Sequence, residues 1–525
     1  MPPLLIGAVL RFHGLAHQVL GGDELHAVRV ALSRPLRRIL KRYSTESDHC
    51  IPLTALLNVL AEAGVHITEL ITRAPVLLAG MALIYLLTRR SLELLGSRTA
   101  TPYAWLCACS PLLVLYSRIA RSYMPMLFLA YAAAFAFYAW LSDGRKRDAL
   151  TYALCAALAA YFHFLSIVFV LAPFLFALLE GLVRKRPRSY YLKLGALMGL
   201  TAVLLTALFL PLLPSLSEFV AEKAKRGSLG FHSVWETLRL QSGSFFLPMT
   251  IALFGLAVLG GTRLAQRERR LFLFFLFLSA IHVTSVIFVS PISYENRVTF
   301  NRYMLILHPL LLLLIAHGLG APWWSKPTPG QLRIQSVAAS CAVLVFFAAG
   351  PLAHPKFHYS SFTHHNRFLA FTAEDFTLPE ALASTVPEFY NQLAGSEAEA
   401  ILEYPISWLW RLSNIPYYYQ DIHRKEVLVS KPIDLYSDPR IELRNSIRPD
   451  PDAFLASRAD FLVVHRDVSL EEEPFRPSAS RGDKRSLDSI EQARRLAGRL
   501  GTLWGKPHYR DERIIVWDLR TLRED

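Results

Sequence analysis

Long apolar runs follow one another through residues 74–350 and constrain the fold of this chain more than any other feature. An uncharged stretch of about 18 residues or more can cross a bilayer as a helix. With 53% hydrophobic residues and a positive mean hydropathy over 525 residues, the chain is too apolar for an ordinary soluble enzyme. The pattern predicts an integral membrane protein with spans near 74–90, 100–117, 123–141, 148–162, 163–182, 192–213, 246–261, 271–290, 303–320 and 334–350.

A shorter apolar segment at residues 1–10 brings the expected number of transmembrane helices to about eleven. This segment is only about half as long as a membrane crossing requires. The residues after it resemble a loop that follows a complete span, so we interpret it as the end of a longer first helix. A short signal peptide is the weaker interpretation.

The basic residues of the short loops predict the orientation of the chain in the membrane. Lysine and arginine are enriched in cytoplasmic loops. They fall on alternate turns here, at Arg89, Arg90 and Arg98, at 145–147, at 184–193 and at 263–270. We therefore expect residues 11–73, the loop 215–245, the turn 291–302 and the C-terminal part of the chain to lie outside the cytoplasm.

Charge divides the chain into two regions. Residues 351–525 carry 27 acidic and 23 basic side chains, a net charge of −4, whereas residues 1–350 carry 15 and 33, a net charge of +18. Such a surplus beside a bilayer favours anionic headgroups or phosphates as partners, and no nucleic-acid-binding module is recognisable. The five cysteines do not fix the compartment, because most lie in apolar spans.

The C-terminal region, residues 351–525, is predicted to be a separate α/β domain outside the membrane. Residues 400–404, 461–465 and 514–517 have the composition of buried strands, and 489–500 that of a helix. Residues 471–486 are predicted to form an exposed loop. The tripeptide Asp450-Pro451-Asp452 looks like a metal site for a nucleotide sugar, but one such tripeptide in an acidic region is common by chance. Acceptor recognition and structural support both remain open as roles for this domain.

The first predicted outer loop, residues 11–73, combines acidic and basic groups. Asp23 and Glu24 stand next to each other in the segment Gly21–Glu24, at the rim of the membrane domain. Apolar residues recur at helical spacing from Leu25 onward, with arginines between them and a bend at Pro35, which indicates a basic amphipathic helix in the headgroup layer. Asp48-His49-Cys50-Ile51-Pro52-Leu53 then begins a second helix, where Asp48 could simply be a helix cap.

The order of these motifs resembles the GT-C superfamily of polyprenyl-phosphate-sugar-dependent glycosyltransferases. The resemblance is to the branch with protein O-mannosyltransferases and aminoarabinose transferases. It rests on the Asp23-Glu24 pair, the Asp48–Leu53 segment, Glu69–Pro75, Ser110–Tyr123 and Asn301-Arg302-Tyr303, and it extends from residue 11 to about residue 320. The chain departs from the family at Cys50-Ile51, where many relatives have two prolines.

The resemblance implies a GT-C fold of about eleven transmembrane helices in residues 1–350, followed by the soluble α/β domain. It implies that Asp23 is the base that takes the proton of the acceptor hydroxyl, with inversion at the sugar, and that Glu24 orients the acceptor or supports Asp23. The donor is expected to be a polyprenyl-phosphate sugar in the plasma (inner) membrane, and the acceptor a glycan, a lipid or a protein.

A lipid phosphate that leaves as an anion needs positive charge more than a proton. The candidates for this contact are Arg73, Arg118, Arg121, Arg297 and Arg302. Of these, Arg73, Arg118 and Arg121 could instead be interfacial anchors. The candidates for the sugar or acceptor are Asp48, His49, Tyr123, His163 and Tyr303. No cofactor is certain, and a divalent metal at Asp23, Asp48 and His49 stays open. His282 and His308 are predicted to be buried structural residues.

Two other classes of protein compete with this hypothesis. A polytopic secondary transporter or flippase would share the helix count, but coupled transporters usually carry a carboxylate near the membrane midplane. No Asp or Glu falls deep within a predicted span between residues 74 and 350, and no internal repeat is visible. A non-catalytic scaffold that presents the C-terminal domain would be indifferent to the replacement of Asp23 by Asn.

Overall fold

The structure, a computed structural model, describes most of the chain. It covers residues 2–13, 15, 24, 27–28, 30–31, 34–41, 50–65, 67–217, 231–244, 246–289, 297–320, 328–348, 350–353, 386–404, 419, 422–430, 446–447, 450–466 and 482–524. Helices dominate as far as residue 353, and a six-stranded sheet lies in the C-terminal region. The expected order, a polytopic helical region followed by an α/β region, is confirmed.

The helices of the first region are numbered in chain order. They are α1 Pro2–Phe12, α2 Leu36–Ile39, α3 Ile51–Glu62, α4 Glu69–Leu95, α5 Ser97–Cys109, α6 Pro111–Arg118, α7 Tyr123–Asp143, α8 Lys146–Phe162, α9 Ser166–Val183, α10 Arg188–Phe209, α11 Phe231–Ser242, α12 Leu247–Arg267, α13 Arg269–Val289, α14 Arg297–Met304, α15 His308–Gly320 and α16 Pro329–Ala348. Short 3₁₀ turns follow three of these helices: Leu210–Leu212 comes after α10, Leu305–Leu307 after α14 and Pro351–Ala353 after α16.

Eight helical segments among the described residues are long and apolar enough to cross a membrane. They are Glu69–Leu95, Tyr123–Asp143, Ser166–Val183, Arg188–Ser217, Leu247–Arg267, Arg269–Val289, Phe300–Gly320 and Pro329–Ala348. The protein is therefore an integral membrane protein. Two further predicted spans take other forms, since 148–162 falls in the 17-residue helix α8 and 100–117 is divided between α5 and α6.

The division between α5 and α6 has a local chemical cause. Pro111 has no N–H for the helical ladder, and Ser110 before it is extended, with φ −63° and ψ 120°. The Ser110 hydroxyl accepts a hydrogen bond from the Leu113 amide at 3.3 Å and so caps the new helix. The chain thus changes direction inside the apolar region and carries α6 to its end at Arg118.

A histidine network joins helices at this division. His308 Nε2 lies 2.7 Å from Ser110 Oγ, and His308 Nδ1 lies 2.8 Å from Gln241 Oε1. Gln241 Nε2 in turn donates to Asn301 Oδ1 at 2.8 Å. His282 Nε2 contacts the Tyr303 carbonyl oxygen at 2.9 Å. The prediction that His282 and His308 are buried structural residues between helices is confirmed.

Helices α12 and α15 cross in close backbone contact, and glycine makes this approach possible. A Cβ atom on Gly260 would lie 1.8 Å from the Leu314 carbonyl oxygen, and one on Gly318 would lie 2.3 Å from the Leu256 carbonyl oxygen. No side chain fits at either position unless the helices separate. Small residues at such crossings are a common way to pack membrane helices, because the bilayer supplies little hydrophobic driving force between them.

We therefore expect Gly260→Ala to destabilise the protein by about 1–3 kcal/mol, the usual cost of overpacking. Gly255→Ala, on the same helix, is the matched control, because a Cβ at Gly255 meets nothing within 4 Å. The measurement is thermal unfolding of both variants in one detergent. Equal midpoints for the two variants would contradict this account of the crossing.

The carboxylates of the described spans stand at helix ends, as the sequence indicated. Glu180, near the end of α9, accepts two hydrogen bonds from Arg270, at 2.8 Å from Nε and 2.9 Å from Nη2. Arg184 approaches the same carboxylate at 3.3 Å. This charge is neutralised by arginines at the edge of the bundle, which differs from the midplane carboxylate of a coupled transporter.

The C-terminal region contains strands β1 Ala400–Tyr404, β2 Glu426–Ser430, β3 Ser446–Ile447, β4 Phe461–His465, β5 Tyr509–Arg510 and β6 Ile514–Asp518. Helices α17 Glu388–Ala394, α18 Pro451–Leu455, α19 Gly482–Trp504 and α20 Leu519–Glu524 accompany them. The strand order is β3-β2-β1-β4-β6-β5, with β1 to β4 parallel and β6 antiparallel to β4. Apolar clusters cover both faces of the sheet, as a largely parallel sheet requires.

All three strands predicted from sequence are present as β1, β4 and β6, and the predicted helix lies within α19. Strands β2, β3 and β5 were missed. Strands β3 and β5 contain only two residues each, and the apolar run of β2 is only three residues long, from Val427 to Val429. The loop predicted at 471–486 is wrong at its end, since residues 482–486 belong to the first turns of α19. Residues 467–481 lie outside the described part of the chain.

Candidate functional site

Several predicted site residues come together at one end of the helix bundle, which we call the first-loop end. Helix α4 begins there at Glu69, α6 ends there at Arg118 and α7 begins there at Tyr123. The turn between α8 and α9, with His163, reaches the same end, because α7 and α8 run in opposite directions. Successive helix directions therefore bring residues that are distant in sequence to one rim.

Glu24 and Arg73 form a buried ion pair at this end. Arg73 Nε donates to Glu24 Oε1 at 2.9 Å, and Arg73 Nη2 donates to Glu24 Oε2 at 2.7 Å. The two side chains are 1% and 0% exposed. This is the two-point geometry in which a guanidinium group holds a carboxylate most firmly.

Two backbone groups complete this pair. The Ala120 amide, in the junction between α6 and α7, donates to Glu24 Oε1 at 2.8 Å. Arg73 Nη1 donates to the Leu15 carbonyl oxygen of the first loop at 3.1 Å. All three guanidinium nitrogens of Arg73 therefore contact protein groups. The pair fixes the first loop to the start of α4 and to the end of α6.

Two more arginines are buried beside the pair. Arg118 Nη1 donates to the Arg11 carbonyl oxygen at 2.7 Å. Arg11 Nε donates to Ser117 Oγ at 3.1 Å, and its terminal nitrogens donate to the Gly7, Ala108 and Cys107 carbonyl oxygens. Helix α4 packs so closely here that a Cβ on Gly80 would lie 2.2 Å from Ser117 Oγ. Arg11 thus connects α1 to the broken helix pair α5–α6.

The charges of these four side chains do not balance. Arg11, Arg73 and Arg118 are each 0% exposed, and Glu24 is 1% exposed. Their formal net charge is +2 within a low-dielectric bundle. This excess of cations gives the first-loop end a positive potential, which favours a nearby anionic group. Asp23, the adjacent residue in sequence, lies outside the described residues.

An aromatic group extends the cluster toward α14. The Arg302 guanidinium carbon lies 5.9 Å from the centroid of the Tyr123 ring, in cation–π range. The Tyr123 ring is 5.0 Å from that of Tyr116 and 5.5 Å from that of His163. Tyr123 therefore contacts two of the other predicted residues, Arg302 and His163.

Of the remaining candidates, two lie in other surroundings, and the side chains of three belong to the part of the chain that the structure does not describe. Arg121 is largely buried in the junction after α6, where its amide donates to the Ile119 carbonyl oxygen at 2.7 Å. Tyr303 packs with Phe300 and Val286 in a small apolar cluster. Arg297 lies in the first turn of α14, but its side chain is outside the described part, as are the whole residues Asp48 and His49.

A divalent metal has no candidate site among the described residues, since no group of three or more His, Cys, Asp or Glu side chains there could hold one. The proposed ligands Asp23, Asp48 and His49 lie in the remainder of the chain. The metal therefore stays an open prediction from sequence alone.

Sequence reasoning missed Arg11. Its position at the end of a short apolar segment looked like the start of a loop, and nothing in the sequence indicates the carbonyl groups that surround it. The one signal available was a cation directly after an apolar run on the side where positive charge is disfavoured. Contacts across about 100 residues, to Cys107, Ala108 and Ser117, give Arg11 its environment.

A second polar cluster lies in the C-terminal region. The Tyr390 hydroxyl donates to Glu403 Oε1 at 2.9 Å, and His465 Nε2 contacts Glu403 Oε2. Glu403 and His465 lie toward the carboxyl ends of the parallel strands β1 and β4, and the Tyr419 ring stacks on Tyr390 at 4.2 Å. Burial, reinforced by the Glu403 carboxylate, raises the pKa of Tyr390 well above its usual value, so its hydroxyl remains a donor. The cluster ties α17 to the centre of the sheet.

The geometry defines a polytopic membrane protein with a buried, cation-rich site at one end of its bundle, and comparison with known proteins agrees with that class. Residues 54–214 match the family model described as dolichyl-phosphate-mannose-protein mannosyltransferase. The matched segment is less than a third of the chain, and it contains Arg73, Arg118, Arg121, Tyr123 and His163. The resemblance indicated by the motifs is confirmed.

Two solved structures are also similar to the chain. ArnT from Cupriavidus metallidurans in the apo state matches 98% of this chain and 96% of that chain, with 13% sequence identity and a TM-score of 0.47. ArnT from the same organism bound to undecaprenyl phosphate matches 98% and 97%, with 12% identity and a TM-score of 0.46. A search of curated proteins finds no match.

Proposed function

We propose that this protein is a membrane glycosyltransferase that moves one sugar from a polyprenyl-phosphate carrier to an acceptor hydroxyl. The observation that carries this proposal is the buried cationic cluster around Glu24, which lies next to Asp23 in sequence. A match between residues 54–214 and a model of sugar-transferring membrane enzymes supports the same reaction class. ArnT, the similar solved protein, binds undecaprenyl phosphate.

The reaction is a displacement at the anomeric carbon. The acceptor oxygen attacks that carbon, Asp23 takes the hydroxyl proton, and the bond between the anomeric carbon and the phosphate oxygen breaks with inversion. The electron pair of this bond leaves with the lipid phosphate. Fixed positive groups stabilise the charge that develops on the departing phosphate, since they need no reorganisation during the step.

The contacts divide the arginines into two roles. The donors of Arg73 are directed to Glu24 and Leu15, so Arg73 acts as a positioning residue that fixes the loop carrying Asp23. Arg302, which is partly exposed and lies at the Tyr123 ring, is the first candidate for contact with the donor phosphate. Arg118 and Arg121 add positive potential to the site. The Tyr123 ring offers an apolar surface to the sugar, and the His163 imidazole offers a polar edge.

The proposed side of the membrane is supported by the charges of the short loops and by the nearness of one carboxylate to charged groups of the C-terminal region. The positive-inside pattern assigns the first-loop end to the extracytoplasmic face. Glu69, in the first turn of α4, lies within electrostatic range of Glu426 and Arg458 of the C-terminal region. This supports a C-terminal domain on the same face, where it would meet the acceptor.

The test of the reaction class uses purified protein in lipid nanodiscs. Radiolabelled polyprenyl-phosphate sugars and a membrane extract as acceptor are supplied together, and transfer of label to the extract is measured with and without protein. We expect transfer that depends on the protein and on the lipid-phosphate donor. Uptake of a free sugar into sealed vesicles, with no labelled product, would favour the transporter instead.

Arg302→Gln is expected to raise KM for the donor by about tenfold to a hundredfold, because a hydrogen bond to a charged group is worth about 1.5–3 kcal/mol. Arg302→Lys should recover part of this loss, since it keeps the charge but not the planar guanidinium. The control is Arg147→Gln, an exposed arginine at the opposite end of the bundle. An unchanged donor KM in Arg302→Gln would remove Arg302 from the donor site.

A further inference from the structure

A cavity of about 460 Å³ opens between α5 and α16, away from the first-loop end. Its walls are the first turns of α5, the end of α15 and one face of α16. Its volume lies within the range of small-ligand sites. The cavity begins at Ser97 and Arg98, where α5 starts, and reaches Trp105, Val343 and Leu344 along the apolar parts of the two helices.

The mouth of the cavity is cationic. Arg98 is exposed, and within the described parts of the chain its guanidinium group has no ion-pair or hydrogen-bond partner. The neighbouring cations at the end of α4 differ, because Arg89 and Arg90 both pair with Glu93. Arg98 is therefore available to an anion.

The deeper walls offer little to a polar ligand. The hydroxyl groups of Ser336 and Ser340 donate to the Leu332 and Ser336 carbonyl oxygens of their own helix, at 2.9 Å and 3.0 Å. Gln335 Nε2 donates to the Leu319 carbonyl oxygen at 2.7 Å. These polar side chains thus have protein acceptors, and Trp105, Ala339 and Val343 give the walls an apolar surface.

The cavity lies on the bilayer-facing side of the protein. Only 17% of the most apolar 18-residue stretch of helix α16 is buried within the protein, and the side chains of Val337 and Leu344 are 58% and 66% exposed. An occupant can therefore enter sideways from the membrane. It must combine an anionic group at the rim with an apolar chain that extends inward.

We propose that this cavity binds an anionic glycerophospholipid, with its phosphate at Arg98 and one acyl chain along Trp105 and Val343. A basic pocket between membrane helices on the cytoplasmic side is a favourable place for an anionic headgroup, and each basic residue there contributes to the attraction. The sequence places the Arg98 turn on the cytoplasmic side. Arg98 is in the first turn of α5 and Arg118 is the last residue of α6, so the site is separate from the proposed donor site.

The experiment is native mass spectrometry of the purified full-length protein. The probes are phosphatidylglycerol, phosphatidylcholine with the same acyl chains, and undecaprenyl phosphate, each added at the same concentrations. Arg98→Gln removes the charge, with Arg147→Gln as a matched exposed control. Ala339→Trp fills the cavity, and Val337→Trp places the same ring on the exposed face of the same helix.

We expect the wild-type protein to retain phosphatidylglycerol in preference to phosphatidylcholine. Arg98→Gln should lower its retention about fivefold, since one basic residue near a membrane surface contributes about 1 kcal/mol, whereas Arg147→Gln should not. Ala339→Trp should remove bound lipid, and Val337→Trp should keep it.

Three results would overturn the proposal. If Arg98→Gln and Arg147→Gln lowered the retention of phosphatidylglycerol equally, the binding would depend only on the general surface charge of the protein. Equal retention of the two phospholipids would remove the role of the anion. Preferential retention of undecaprenyl phosphate would identify the occupant as the carrier lipid. Sugar transfer is not part of the measurement, so the outcome is independent of the proposed function.

Discussion

Replacing Asp23 with asparagine is expected to lower kcat for sugar transfer by about 10²- to 10⁴-fold, the usual contribution of a general base. Asparagine keeps the size of the side chain but cannot accept the acceptor proton. The donor should still bind, because its phosphate contacts positive groups elsewhere in the site. The measurements are the initial rate with labelled donor at saturating concentration, and donor binding in the absence of acceptor.

Folding must be separated from chemistry in this test. Asp23→Asn should unfold at the wild-type temperature, since the described contacts that hold the loop are made by Glu24. Asp23→Glu should retain some activity, because it keeps the carboxylate and displaces it by one methylene group. A wild-type kcat in Asp23→Asn would exclude Asp23 as the base and would favour the scaffold hypothesis.

The second large effect is expected at the buried pair of Glu24 and Arg73. Arg73→Gln leaves the Glu24 carboxylate buried without its cation, and Glu24→Gln leaves the guanidinium group without its anion. Breaking one partner of a buried ion pair costs about 3–5 kcal/mol. We expect each variant to unfold at a clearly lower temperature and to lose activity, because the loop that carries Asp23 is released.

A double-mutant cycle tests whether the two residues act as one unit. The loss of stability in the Glu24→Gln/Arg73→Gln double variant should be well below the sum of the two single losses, because the second change removes a group that already lacks its partner. The matched control is the exposed pair of Arg89 and Glu93 on the same helix. Glu93→Gln should alter stability little, since solvent screens an exposed ion pair.

The same cycle distinguishes two roles for Arg73. As a positioning residue, Arg73 should affect stability and kcat together and leave donor affinity nearly unchanged. If Arg73 is instead a phosphate ligand, the role first predicted for it from sequence, Arg73→Gln should raise the KM for the donor while stability stays close to wild type. Preserved stability together with a raised donor KM would therefore contradict the positioning role.

Most of the architecture could be predicted from sequence, because the relevant signals are local. The membrane spans follow from runs of apolar residues, and the core strands β1, β4 and β6 follow from short apolar segments between polar ones. The break at Ser110-Pro111 was not predicted, since the apolar run 100–117 looks continuous in hydropathy. Only the missing amide of Pro111 and the cap at Ser110 divide it.

The site was predictable in its residue types but not in its pairings. Glu24, Arg73, Arg118, Tyr123, His163 and Arg302 were all selected from motifs, and they do lie at one end of the bundle. The pairing of Glu24 with Arg73 and with the Ala120 amide joins residues 49 and 96 positions apart. No periodicity in the sequence encodes such a contact.

By itself, the sequence determined that this chain enters a membrane, which turns carry positive charge and which segments contain both acidic residues and arginines. These properties depend on how favourably individual side chains transfer between water and lipid. That preference can be read from the composition of each segment and the spacing of its apolar residues. Only the tertiary structure decided that Arg73 holds Glu24, that Arg11 is buried and that Arg98 has no protein partner among the described residues. The physical reason is that the partners of a charged group come from helices distant in sequence, and their distances exist only after those helices pack.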